Sequence, residues 1–262
     1  MFLDINGARI HVEREGAGFP LILLHEGVAD NRMWEPQLEA FAEHFEVVRP
    51  EQRGFGQSNL PAQRWSPVAD LLAIMDALAL KPAHIVGGSM GAGLAIDFAL
   101  DHPERVSKLV LIGPAISGLK PAAKHAHLWA DADAAEEAHD IDALNRAEMR
   151  LFLSGPSRPL EQIDPRLRDL FLDMNGIALR SDLESAPRDA LDPPAVGRLG
   201  EITAPTLVIV GDFDIAPIFD AVDLLMREVK GARKAVIHDA AHLPNLEHPE
   251  EFNRLVLDFL LS

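Results

Sequence analysis

The 262-residue chain predicts an α/β fold, a mostly parallel twisted sheet with helices on both faces and a helical cap inserted between two of its strands. Three observations predict it. Short apolar runs of strand length alternate with stretches of helical period, as in a parallel sheet covered on both sides. One glycine-dense turn, Gly87-Gly88-Ser89-Met90-Gly91, joins such a run directly to a helical stretch. One long segment, from Ala115 to about Leu199, has helical period and no convincing strand.

The elements follow in order. Residues 2–5 and 9–14 read as an antiparallel hairpin turned by Asn6-Gly7, a pair that tolerates positive φ at both corners of a tight turn. "PLILLH" (20–25) and "EVV" (46–48) read as buried strands, with a helix over about 34–44 between them. A helix over about 66–80 leads to "HIVG" (84–87), a helix over 90–101 and "KLVLIG" (108–113). Prolines at 121, 156, 159, 165, 187, 193 and 194 then cut the strandless segment into short helices. Its acidic run "DADAAEEAHDID" reads as a solvated face. "TLVIVG" (206–211), a helix over about 218–229, "KAVIH" (234–238) and a helix over 249–261 complete the sheet. The expected division is a core of 1–114 and 200–262 with a cap, or lid, of 115–199.

Composition narrows the function. The formal net charge is −17, which repels a phosphate backbone and gives no attraction to an anionic membrane, so neither nucleic acid nor membrane is an expected partner. The chain has no cysteine, which excludes disulfides, thiolate metal sites and a cysteine nucleophile. His125-Ala126-His127 is too small a set for a metal site, and no metal or cofactor is expected. The N-terminus reads as a hairpin rather than a signal peptide, and no apolar run approaches the ~18–20 residues of a membrane span. A cytoplasmic location is the expectation, as a monomer or homodimer.

Gly87 to Gly91 match the G-x-S-x-G pattern in the context it requires, after a strand and before a helix. A sharp turn there drives the serine toward positive φ, and side chains two positions to either side would clash, hence glycine at 87 and 91. The turn lifts the Ser89 hydroxyl above the carboxyl ends of the strands and presents N–H groups of the new helix to a developing oxyanion. A serine nucleophile needs a base, and the base an orienting acid. In "TLVIVGDFDIAPI" the acid is Asp212 or Asp214. Asp214 is favoured because it lies in the loop beyond the strand, while Asp212 reads as a turn residue. In "KAVIHDAAHLPNLEHPEEF" the base is His238, His242 or His248. His242 is favoured because it sits mid-loop among small residues, with His238 at the strand end and His248 at the start of the last helix.

The chain resembles the α/β-hydrolase superfamily. "LILLHEGVADNRMWEPQ", "VVRPEQRGFGQS", "HIVGGSMGAGLAIDFALDHPERVSKLVLIGP", "LVIVGDFDIAP" and "AAHLPNLEHPEEFNRLVLDFL" are similar to its landmarks, in its order. Small carboxylesterases and 3-oxoadipate enol-lactonase-like hydrolases are the most similar branches. The resemblance implies a Ser89–His242–Asp214 triad, with an oxyanion hole from the backbone N–H groups of Met90 and Gly27. Two departures stand out. Glu26 replaces the usual glycine after His25, and Pro50-Glu51 replace an aromatic residue and Asp. Either the Glu26 side chain points away and only its backbone matters, or it lines the pocket with a raised pKa or a polar contact to substrate. Serine at the elbow, where related dehalogenases and epoxide hydrolases carry Asp, implies acyl transfer to water.

The expected function is hydrolysis of a small-to-medium ester or lactone. Enol-lactonase, C–C bond hydrolase, cofactor-free haloperoxidase and ligand receptor are the alternatives within the fold. Candidate substrate-binding residues are Glu26, Trp34, Trp129 and Phe152, with Met33, Met149, Phe171 and Met174 as further lining. Arg32, Arg146 and Arg150 are the candidates for a substrate carboxylate.

Overall fold

The runs that are apolar on both faces take the centre of the sheet. The computed structural model describes residues 1–181 and 187–262. Its strands are β1 (Phe2–Ile5), β2 (Ala8–Gly16), β3 (Phe19–Leu24), β4 (Phe45–Pro50), β5 (Ala83–Gly88), β6 (Val106–Ile112), β7 (Thr206–Gly211) and β8 (Arg233–Ile237). They form one sheet in the order β1-β2-β4-β3-β5-β6-β7-β8. The hairpin β1–β2 is antiparallel and joins β4 antiparallel; every pairing from β4 to β8 is parallel. Asn6 (φ 46°) and Gly7 (φ 82°) turn the hairpin, as their sequence predicts.

Alternate residues of each strand feed opposite layers. Leu21, Leu23, Val86, Val110, Ile112 and Ile209 pack with α1 (Glu35–Ala42) and α9 (Pro249–Leu260) on one face. Ile22, Leu24, Ile85, Leu109, Leu111 and Val208 pack with α2 (Pro67–Ala77), α3 (Met90–Asp101) and α7 (Ala216–Glu228) on the other. The α2 helix stops three residues short of its expected end. Ala79 takes φ 53°, and the Leu80 N–H bonds back to Met75 O at 2.8 Å, closing the helix with an alanine where glycine is usual.

Between β6 and β7 the described residues contain no strand. They form α4 (Ala130–Glu137), α5 (Ile141–Glu148), a π-helical turn over Met149–Ser154 and α6 (Pro165–Arg180), with short 3-10 turns between. Asp140 and Asp164 cap α5 and α6 through the N–H groups of Ala143 and Arg166. The acidic run is solvated as expected, with only Ala132 and Ala135 of α4 buried. Part of the expected cap, 182–186, lies outside the described residues. The short helix α8 (Pro244–Glu247) precedes α9. Among the described residues no helix is long and apolar enough to cross a membrane.

Candidate active site

Strand β5 ends at Gly88 and α3 begins at Met90, so Ser89 stands alone at the corner with φ 46° and ψ −107°. A non-glycine residue rarely adopts such a backbone, which costs about 1–3 kcal/mol. Three hydrogen bonds hold it: Ser89 N–H to Ile112 O at 2.8 Å, and Gly93 N–H and Ala115 N–H to Ser89 O at 2.9 and 3.2 Å. The flanking glycines make the corner possible. A Cβ on Gly87 would collide with the Gly91 carbonyl, and one on Gly91 with the Leu24 carbonyl.

The loop after β3 lies against the start of α3. A Cβ built on Gly27 would sit 3.6 Å from Met90 Cβ, so the two backbones face each other beside Ser89. Among the described residues neither the Gly27 nor the Met90 N–H donates to a protein acceptor, as an oxyanion hole requires. His25 anchors this loop. Its Nδ1–H donates to Glu26 O at 2.8 Å and its Nε2 accepts the Gln52 N–H at 2.9 Å, which fixes the tautomer. Burial holds the His25 pKa below the usual value, the bond to the Glu26 carbonyl opposing.

The candidate acids and bases sort into two pairs. Asp212 Oδ2 lies 2.9 Å from Nδ1 of His238, and the His238 side chain is 79% exposed. Asp214 Oδ2 lies 2.8 Å from Nδ1 of His242, and both side chains are 1% exposed. The second pair opens onto a cavity of about 280 Å³ that Ser89 and His242 both line. The Ile215 N–H donates to Asp214 Oδ1 at 2.7 Å and fixes the carboxylate. Burial disfavours the His242 imidazolium, but the Asp214 carboxylate, Glu26 and the Asp214 hydrogen bond together bring the group up to about 9. Gly113 (φ 47°) makes room for the pair: a Cβ there would lie 2.8 Å from the His242 ring and 3.2 Å from Asp214 Oδ2.

A family model described as the α/β hydrolase fold matches residues 20–249. The chain belongs to the α/β hydrolase fold family. A 2-hydroxy-6-oxo-6-phenylhexa-2,4-dienoate hydrolase of Comamonas testosteroni is 30% identical over 98% of this chain and 93% of its own length. A 2-hydroxymuconate semialdehyde hydrolase of Pseudomonas putida is 30% identical over 97% and 91%. The crystal structure of the enol-lactonase from Burkholderia xenovorans superposes with a TM-score of 0.82 at 26% identity, covering 100% of both chains.

In this hydrolase the helical segment holds the histidine loop. Phe152 O, in the π-helical turn, accepts the His242 N–H at 3.0 Å, and the two rings lie 5.1 Å apart. Arg158 bonds Asp239 O at 2.6 Å and Glu247 Oε2 at 2.6 Å, while Glu247 Oε1 accepts the Ala241 N–H at 2.7 Å. Arg158 and Glu247 are 9% and 6% exposed, so this clamp works at low dielectric. Glu247→Ala is expected to destabilise the fold by about 2–3 kcal/mol through a stranded guanidinium and N–H. It should also slow phosphonylation of Ser89 by a fluorophosphonate about tenfold, because the loop that carries His242 is held less well. Denaturant melts and labelling rates check it, and unchanged values would deny the clamp its role.

The remaining candidates separate. Trp129 and Phe152 line the cavity with Ser89 and His242. Trp34 does not: it is fully buried, 6.4 Å from the Phe252 ring, because the 3-10 turn Asn31–Trp34 directs it into the layer shared with α9. Met33, Met149, Phe171 and Met174 belong to that same packed layer. Glu26 lines neither of the cavities that Ser89 opens onto. Its side chain is fully buried against Gly88, and burial raises its carboxyl to about 8, with His242 opposing and Asp214 adding. Glu51 lies under the following loop, where it accepts the Gln57 N–H at 2.6 Å, and burial raises it to about 7. Arg32 is paired with Asp30 and Asp173, and Arg150 approaches Asp131. Sequence reasoning passed over Arg188, which lines a second, larger cavity of about 570 Å³ at Ser89 and lies 4.0 Å from Met90 Sδ. It also gave no role to Gly113, although glycine-proline directly after a strand is a visible signal, nor to Arg158 and Glu247, whose pairing has none.

Proposed function

We propose that the protein is a serine hydrolase that cleaves a small-to-medium, uncharged carboxylic ester or lactone through an acyl-enzyme on Ser89. The observation that carries this reading is the shared cavity: Ser89 and His242, the latter paired with Asp214, meet on walls formed mainly by Ile116, Leu119, Trp129, Phe152, Ile215 and Ile218, with the exposed and oppositely charged Lys120 and Asp220 beside them. An uncharged acyl or alkoxy group buries apolar surface there.

His242 Nε2 takes the Ser89 proton as the hydroxyl attacks the acyl carbon, while Asp214 stabilises the imidazolium through Nδ1. The Gly27 and Met90 N–H groups receive the oxyanion. The imidazolium returns its proton to the leaving alkoxide, and a water activated in the same way releases the acid. The segment between β6 and β7 serves as the lid, supplying Trp129 and Phe152.

A second reading is C–C bond hydrolysis of a dienoate, the substrate type in the names of the relatives. Arg188 in the larger Ser89 cavity favours it, as a partner for a substrate carboxylate. Asp97, Asp101, Asp189 and Asp192 line the same cavity and weigh against an anion, which is why the ester reading stands first. The test is a rate panel of p-nitrophenyl esters from acetate to octanoate, simple lactones, and 2-hydroxy-6-oxo-6-phenylhexa-2,4-dienoate. The expected result is kcat/KM on the best ester or lactone at least ~10-fold above that on the dienoate, a difference of about 1.4 kcal/mol in transition-state binding. A dienoate turned over faster than every ester and lactone would replace the first reading by the second.

A further inference from the structure

Glu26 is a buried carboxyl with no hydrogen-bond partner on either oxygen among the described residues. Its place is specific. It directly precedes Gly27, and its side chain fills the space over Gly88, the residue before the nucleophile. A Cβ on Gly88 would lie 2.6 Å from Glu26 Cγ and 2.7 Å from Oε1, so glycine at 88 and glutamate at 26 form a complementary pair. The carboxyl is thus wedged between the two backbone segments that carry the candidate oxyanion donors. The charged groups acting on it are His242, from the loop after β8, and Asp214, from the loop after β7. Neighbouring His25 is held neutral by its two hydrogen bonds, and Asp30, further along the same loop, is paired with Arg32.

An ionised carboxylate in that slot is heavily disfavoured, and among the described residues the group that offsets the cost is a protonated His242. Two carboxyls therefore compete for one imidazole. Asp214 is bonded to it and orients it; Glu26 is not bonded and acts through charge alone. With its proton in place Glu26 is a neutral filler, and the His242 imidazolium is held by Asp214 alone. With the proton gone, the carboxylate stabilises the imidazolium and withdraws the base. We propose that Glu26 is a positioning residue of the active site, a buried carboxyl whose charge state governs whether His242 stands as a free base. The inference rests on the triad reading above.

The two groups titrate as a coupled pair, so the direction of the effect is fixed. Removing the ionisable carboxyl removes the state in which His242 is held protonated by it. The acid limb of triad reactivity should therefore move to lower pH in Glu26→Gln and in Glu26→Met. The experiment measures the second-order rate of Ser89 phosphonylation by a fluorophosphonate from about pH 5 to about pH 10, for the wild type and both variants. The His242 ring is titrated in parallel by NMR. The expected result is a midpoint lowered by about half a pH unit or more in both variants, a plateau rate within about threefold of wild type, and a midpoint restored toward wild type by Glu26→Asp. A role in packing alone would change the plateau or the fold and leave the midpoint where it is. Should one variant fail to fold, the other carries the comparison. Infrared spectroscopy should show, in the wild type, a buried protonated carboxyl at neutral pH that disappears in alkali and that is missing from Glu26→Gln. Unchanged midpoints, or no such carboxyl band, overturn the proposal while labelling of Ser89 keeps the triad. No labelling of the wild type at any pH overturns the triad and the proposal with it.

Discussion

Ser89→Ala should lower kcat on the best ester by roughly 10⁴–10⁶-fold while leaving the fold intact. In the proposed mechanism the hydroxyl is the attacking group, so its loss leaves only substrate binding and oxyanion stabilisation by the Gly27 and Met90 N–H groups. The backbone at 89 is strained at φ 46°, but the strain belongs to any residue with a Cβ, and alanine inherits it from serine. Stability should therefore change little. Ser89→Gly separates the two effects, because glycine accepts this backbone at no steric cost. It should be equally inactive and about 1 kcal/mol more stable than Ser89→Ala, the difference being strain that the fold stores at residue 89. Ester turnover and denaturant melts of the three proteins are the measurements. Residual activity within tenfold of wild type would remove Ser89 from the mechanism, and a Ser89→Gly variant less stable than Ser89→Ala would remove the strain argument.

What the sequence revealed and what it hid follow from how local each signal is. The central strands were legible because β3, β5, β6 and β7 bury both faces and carry continuous apolar runs, and the elbow because strand, glycines and helix are contiguous. The candidate acid was narrowed to two aspartates and the candidate base to three histidines, since in the proposed triad each falls in a loop after a strand that is legible in the sequence. Preferring His242 to His238 turns on burial: His238 pairs with Asp212 at the surface, whereas His242 and Asp214 are buried together. The end of α2 was hidden because alanine, not glycine, takes the left-handed position at 79. Trp34 was misplaced because an aromatic residue near the oxyanion loop carries no mark of which way a 3-10 turn will aim it. Glu26 was recognised as a departure, but its slot is made by the absence of a side chain at Gly88, 62 residues on. Complementarity of that kind is a property of the packed molecule.

Arg53→Ala should destabilise the protein by about 3–5 kcal/mol, the cost of stranding a buried charge. Arg53 Nε donates to Asp70 Oδ2 at 2.6 Å and Nη2 to Oδ1 at 2.9 Å, with the Arg53 side chain 0% and that of Asp70 8% exposed. Nη2 also reaches Asn6 O at 3.1 Å, Asn6 Nδ2 donates to Asp70 Oδ1 at 2.9 Å, and the guanidinium lies over the Trp65 ring. One side chain thus ties the hairpin turn, the loop after β4 and α2 together. Removing it strips the Asp70 carboxyl of both guanidinium bonds in a site with little water and leaves it the Asn6 amide bond. The defect should reach the active site, because Gln52, adjacent to Arg53, donates the N–H that holds His25, and His25 anchors the Gly27 loop. Ser89 phosphonylation should therefore slow as well, by about tenfold. A double-mutant cycle isolates the pair. Adding Asp70→Ala should recover part of the loss, because the charge that Arg53→Ala strands is then gone, giving a coupling of about 2–3 kcal/mol. Replacing both by apolar residues of similar volume should come closer still to wild-type stability, with labelling still impaired because the loop has lost its directional bonds. Denaturant melts of the four corners of the cycle decide it: an Arg53→Ala cost under ~1 kcal/mol, or additive single variants, would show that the pair is not the tie between hairpin, loop and helix.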